Sequence, residues 1–82
     1  MNSMVKLKNI KKNNMLIECD IVPEDSTEYG HVIVVIDTKE LKSYSLPTGY
    51  EWCRNHISHA QTALLEMVNS GTIPNEKLVK WN

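Results

Sequence analysis

TGYEWCRNHISHAQTALLEMVN, residues 48–69, is the stretch whose reading decides the fold. At about 100° per residue, Trp52, Cys53, His56, Ile57, Ala60, Ala63, Leu64, Met67 and Val68 fall within one arc of roughly 160°. Arg54, Asn55, Ser58, Gln61, Thr62, Glu66 and Asn69 fill the remainder, with Leu65 the one apolar exception. The spacing predicts one long amphipathic helix. Thr48 and Glu51 have capping-box spacing at its start, Pro47 stands just outside and Gly71 just past its end. Such a stripe needs a second layer to cover it, so the chain reads as a folded domain.

Upstream of the helix the period changes from helical to alternating. Val5 and Leu7 alternate with Lys6 and Lys8, which marks a first strand, and Lys11-Lys12-Asn13-Asn14 reads as a turn. Residues 15–22 read as a second strand, with Ile17, Cys19 and Ile21 on one face and Glu18 and Asp20 on the other. Residues 23–30 are polar and read as a loop. Residues 31–37 carry the most β-branched run, and residues 41–46 read as a fourth strand after a turn at Thr38-Lys39-Glu40. The tail from Glu76 to Trp81 reads as a short fifth strand or an ordered strap. The expected architecture is α+β: one domain over residues 1–82, a four-stranded antiparallel meander with or without that fifth strand, and one long helix packed on one face.

The third strand strains this picture. Ile33 and Val35 point opposite to Val32, Val34 and Ile36, so only one set can face the helix. The other set needs a cover, either the tail with Trp81 or a second subunit.

Composition narrows the function classes. The net charge of −1 gives no support to general nucleic-acid or membrane-surface binding. No apolar run approaches the roughly 20 residues of a membrane span, and no secretory pattern is visible. Cys19 and Cys53 follow no repeating pattern and read as reduced thiols of a cytoplasmic protein. The charge is unevenly spread. Lys6, Lys8, Lys11 and Lys12 precede an acidic stretch containing Glu18, Asp20, Glu24, Asp25, Glu28, Asp37 and Glu40. On adjacent strands these predict cross-strand pairing on a solvated face, or a docking surface for a charged partner.

Few residues carry recognisable chemistry. Cys53, His56 and His59 are spaced i, i+3, i+6, so each successive pair are helix neighbours and candidate zinc ligands. All three span about 120° of the helix, wide for one tridentate site, and Cys19 or His31 is the candidate to complete a set. The alternative is a packed Cys53 beside a hydrogen-bonded His56. A Cys53–His56 nucleophilic pair is a second chemical reading, although the helix stripe aims the thiol into the core. The carboxylates between Glu24 and Glu28 lack the regular spacing of a calcium loop, and there is no glycine-rich phosphate loop. Tyr44, Tyr50, Trp52 and Trp81 read as lining a shallow cleft at the helix start, or as ordinary core and rim packing.

Gly30-His31 before an apolar strand, then Gly49-Tyr50-Glu51-Trp52-Cys53, His59-Ala60, Ile73-Pro74 and a near-terminal Trp81, form an order that resembles small bacterial proteins of unassigned function from low-GC Gram-positive genomes. The resemblance covers about the last two-thirds of the chain. It implies a cytosolic stand-alone domain and no catalytic or cofactor residues.

The expected function is a non-enzymatic binding or interaction module, self-associating or joined to a protein partner. Its candidate surface is Ile33, Val35, Tyr50, Trp52 and Trp81. The alternative is a small metal- or thiol-dependent protein using Cys53, His56 and His59, with zinc as the candidate metal. No other cofactor, no membrane and no nucleic acid is expected.

Overall fold

Alternating burial along the second and third strands marks the covered face of a sheet, and the computed structural model describes the chain over residues 3–82. In chain order the elements are β1 (Ser3–Lys12), β2 (Leu16–Pro23), β3 (Gly30–Val35), β4 (Leu41–Ser45), α1 (Arg54–Ser70) and β5 (Lys77–Trp81). The sheet order is β4-β3-β2-β1-β5, and every neighbouring pair is antiparallel. The first four strands are the expected meander, and α1 packs on one face. The fold is therefore α+β, as the sequence predicts. No helix among the described residues is long and apolar enough to cross a membrane.

Residue chemistry sets each connection. The Asn13 side-chain oxygen accepts the backbone N–H groups of Met15 and Leu16, both at 2.8 Å, and so closes the β1–β2 hairpin. Asn9 adopts a left-handed φ of 53° at a bulge between Lys8 and Lys11. The extra residue shifts the phase of β1, so that Ile10 joins Val5 and Leu7 on the buried side. Gly30 starts β3 because the chain passes close to β4 there. A Cβ at this position would meet the Ser45 carbonyl oxygen at 2.1 Å.

The core lies between one sheet face and the helix. Val5, Leu7, Ile17, Cys19, Ile21, Val32 and Val34 face Ile57, Ala60, Ala63, Leu64 and Met67. Each fully buried Leu or Ile contributes about 2 kcal/mol. The β5 register, with Val5 opposite Val79 and Ser3 opposite Trp81, puts Val79 and Trp81 on the helix side of the sheet.

Two expectations need correction. The helix begins at Arg54, not Thr48. Gly49 takes a φ of 89°, which no helix admits, and the chain instead makes turns in which Tyr50 N–H donates to Pro47 O and Cys53 N–H to Tyr50 O. The Glu51 carboxylate accepts the Gly49 N–H rather than closing a capping box on Thr48. Trp52 therefore lies outside the helix and is 64% exposed, not part of its stripe. The far end is as expected: Gly71 is left-handed at φ 79°, and its N–H donates to Met67 O. The second correction concerns the tail. It pairs edge-on with β1 as β5, so it does not cover Ile33 and Val35 on β3.

Candidate functional site

At the end of β2 one carboxylate ties three segments together. Glu24 has a φ of 51°, and its N–H donates to Met4 O at 3.1 Å. Its Oε2 accepts the Met4 N–H at 2.9 Å and lies 2.7 Å from His56 Nε2 on α1. The Met4 amide, and then His56, hold the Glu24 carboxyl below the usual carboxylate range. His56 itself is only 4% exposed, and its Nδ1 is buried with no hydrogen-bond partner among the described residues. A buried polar atom left unpaired costs about 1–3 kcal/mol.

A chain of rings runs through this point. Tyr50 and Trp52 have centroids 6.2 Å apart. Trp52 meets His56 edge-on at 5.7 Å, His56 meets Trp81 edge-on at 4.8 Å, and Trp81 stacks on His59 at 3.9 Å. The Tyr50 hydroxyl donates to Asp25 Oδ1 at 2.7 Å, and that carboxylate pushes the phenol's pKa up. Tyr50, Trp52 and Trp81 are thus joined, through His56, into one ridge. Tyr44 stands apart on β4, with the Arg54 guanidinium 5.8 Å from its ring centre.

The three residues singled out for metal or thiol chemistry are engaged elsewhere or buried. His56 is engaged by Glu24, His59 lies against Trp81, and Cys53 is fully buried. Burial, and then the Glu24 charge, push the Cys53 thiol up. Burial, then Asp20 and Glu18, push the Cys19 thiol up to about 12. Cys19 lies on the covered face of the sheet and His31 on the other, so they do not converge on Cys53. Among the described residues, no group of three or more His, Cys, Asp and Glu side chains is placed to hold a metal ion.

The open face of the sheet carries the rest. Register places Lys8 opposite Asp20 and Lys11 opposite Glu18, then Asp20 opposite His31, Glu18 opposite Ile33 and Leu16 opposite Val35. His31 sits between two carboxylates, with Nδ1 2.8 Å from Asp20 Oδ1 and Nε2 3.3 Å from Glu18 Oε1. Lys11 Nζ lies 3.9 Å from Glu18. The Asn9 amide at 2.8 Å, and then His31, hold the Asp20 carboxyl below its usual range. Beside this polar network, Leu16, Ile33 and Val35 form a half-buried apolar strip with no element layered on it among the described residues.

Sequence reasoning missed Glu24, taking it for one more loop carboxylate, and missed the Glu18–His31–Asp20 network. Only the strand register could have revealed that network. No protein-family model matches this chain, and no curated protein or solved structure matches it either.

Proposed function

We propose that this domain is a non-enzymatic interaction module that self-associates through the open face of its sheet. One observation carries the reading: among the described residues nothing is layered on Ile33 and Val35, with Leu16 beside them, because the tail is used at the β1 edge. A sheet with apolar residues on both faces gains from a layer on each. The strip of Leu16, Ile33 and Val35 is apolar and self-complementary, so a two-fold axis through it lays the same residues of a second copy against it and favours a second copy as that layer. The buried Cys53 thiol, its pKa pushed up by burial and then by the Glu24 charge, is disfavoured as a nucleophile and supports the non-enzymatic side of the reading. Two free thiols suit a cytoplasmic setting.

Sedimentation velocity over a concentration series tests this. The wild type is expected to form a dimer, and Ile33→Lys and Val35→Glu a monomer. A wild type that stays monomeric at millimolar concentration overturns the proposal. Native mass spectrometry of the same sample reads bound mass as well. A zinc-sized increment lost in His56→Ala would replace this reading with a metal-dependent one at Cys53, His56 and His59.

A further inference from the structure

The sheet ends in two edge strands, β4 and β5, and only one of them keeps a regular outer ladder. A register shift interrupts β4 where it passes Ile33 and Val34, and a bulge of this kind spoils an edge for further pairing. β5 instead pairs with β1 in unbroken register from Lys77 to Trp81. The direction of its backbone groups follows from β1. Met4 turns both its N–H and its C=O to Glu24, on the β2 side. Val5 stands opposite Pro23, which has no N–H to give. By alternation, Val5 and Leu7 turn their backbone groups to β5, where Val79 and Lys77 meet them. The N–H and C=O of Leu78 and Lys80 therefore point outward, with no strand beside them among the described residues.

The two sides of this edge differ in chemistry. Leu78 and Lys80 carry their side chains on the open face, in register with Lys6 and Met4. Leu78 is 46% exposed, and Lys6, Lys8 and Lys80 take part in no salt bridge among the described residues. Val79 lies on the helix face. There a groove of about 390 Å³ runs between the end of α1 and the start of β5, lined by Ala63, Met67 and Pro74 together with Glu66 and Lys77. The open side is thus basic, while the helix side is apolar and already holds a carboxylate. A second copy of β5 suits this edge poorly. A two-fold axis normal to the sheet sets open face beside open face, and so gathers Lys6, Lys8 and Lys80 of both copies on one side.

From these observations we infer that β5 accepts an extended acidic segment of another protein as a sixth, antiparallel strand. Acidic residues of that segment alternate with β-branched ones, because an added strand sends successive side chains to opposite faces. The acidic residues stand opposite Leu78 and Lys80, exchange backbone hydrogen bonds with them and meet Lys6 and Lys80 on the open face. The β-branched residues lie beside Val79 and the groove on the helix face. In strand addition the main-chain bonds supply affinity and the alternate side chains supply the choice of partner. Two strands separate this edge from Ile33 and Val35, so the two surfaces act independently.

An NMR titration of the isotope-labelled protein with acetyl-Thr-Val-Glu-Val-Glu-Val-Thr-amide tests the proposal. Saturable amide shifts are expected at Lys6, Leu78, Val79 and Lys80 at millimolar concentration. The same peptide N-methylated at both Glu residues, and a version with Lys in place of Glu, are each expected to bind about tenfold more weakly. So is the acidic peptide with the Lys6→Gln/Lys80→Gln double variant. Leu78→Pro removes an outward N–H and no bond to β1, as edge strands tolerate. It is expected to keep the wild-type spectrum away from β5 and to lose binding. Should that variant not fold, the N-methylated peptide decides, since it leaves the protein unchanged. No saturable shift with the acidic peptide, or equal binding of the N-methylated or the lysine peptide, overturns the proposal. A wild-type dimer that folded Leu78→Pro dissociates also overturns it, because the edge then belongs to a second copy. Ile33→Lys is expected to bind the acidic peptide as the wild type does, so strand addition and self-association are read separately.

Discussion

The two faces of the sheet are cut from alternate residues of the same strands, yet they answer to different constraints. On the covered face Val5, Leu7, Ile17, Cys19, Ile21, Val32 and Val34 are sealed beneath the helix. On the open face Lys8, Glu18, Asp20, His31, Ile33 and Val35 are half-buried and Lys6 is exposed. Close packing governs the first set, where a missing methylene leaves a void. The second set is free of that demand, so surface chemistry governs the choice of residue there. A domain of this size has one core and devotes one side of its sheet to it. Among the described residues the other side carries no second layer.

Substitutions can break this contrast or sharpen it, and the largest effect belongs on the covered face. Leu64→Ala, beneath the sheet, is expected to lower unfolding free energy by about 3 kcal/mol in a urea titration. Gly30→Ala comes next, at about 2 kcal/mol, because its Cβ must displace the β4 backbone at Ser45. Amide exchange in β4 would show that displacement as lost protection, and unchanged exchange would count against it.

Two engaged carboxylates, Glu24 at the end of β2 and Asp20 on the open face, should respond to acid. Glu24 and Asp20 both have carboxyl pKa values lowered by folding. Their contribution is therefore present above the ordinary carboxylate range and is lost as pH falls through their folded values. The melting temperature should hold level down to about pH 5 and decline below about pH 4. In Glu24→Gln that decline should be shallower, and an unchanged acid profile would remove Glu24 from the account. The smallest effect on folding is expected on the open face. Val35→Glu should change unfolding free energy by no more than about 0.5 kcal/mol, while abolishing self-association in sedimentation.

Much of the fold was legible because it rests on periodicity. The helical stripe from Cys53 to Val68 and the alternation around Ile17, Cys19 and Ile21 each identify an element and its buried side. The phase change at Asn9 was not legible, since it depends on one residue taking a left-handed turn within a strand. Nor was the helix start, where Gly49 and two backbone turns displace a capping box of correct spacing.

The site was less legible than the fold. Spacing placed His56 and His59 on the helix, with Cys53 just before its first residue, but could not show that Glu24 engages His56 and that Trp81 lies against both histidines. Tyr50, Trp52 and Trp81 were named as one surface, and His56 is the ring that connects them. Glu24 and the His31 network depend on contacts between residues 11 or more positions apart, which periodicity does not encode.

The most direct test of the open-face account is an isotope-filtered NOE experiment on an equimolar mixture of labelled and unlabelled protein. The account predicts intermolecular NOEs linking the methyl groups of Ile33, Val35 and Leu16 in one copy to the same strip of the other. A concentrated sample that tumbles as a monomer and shows only intramolecular NOEs from these methyls would contradict it.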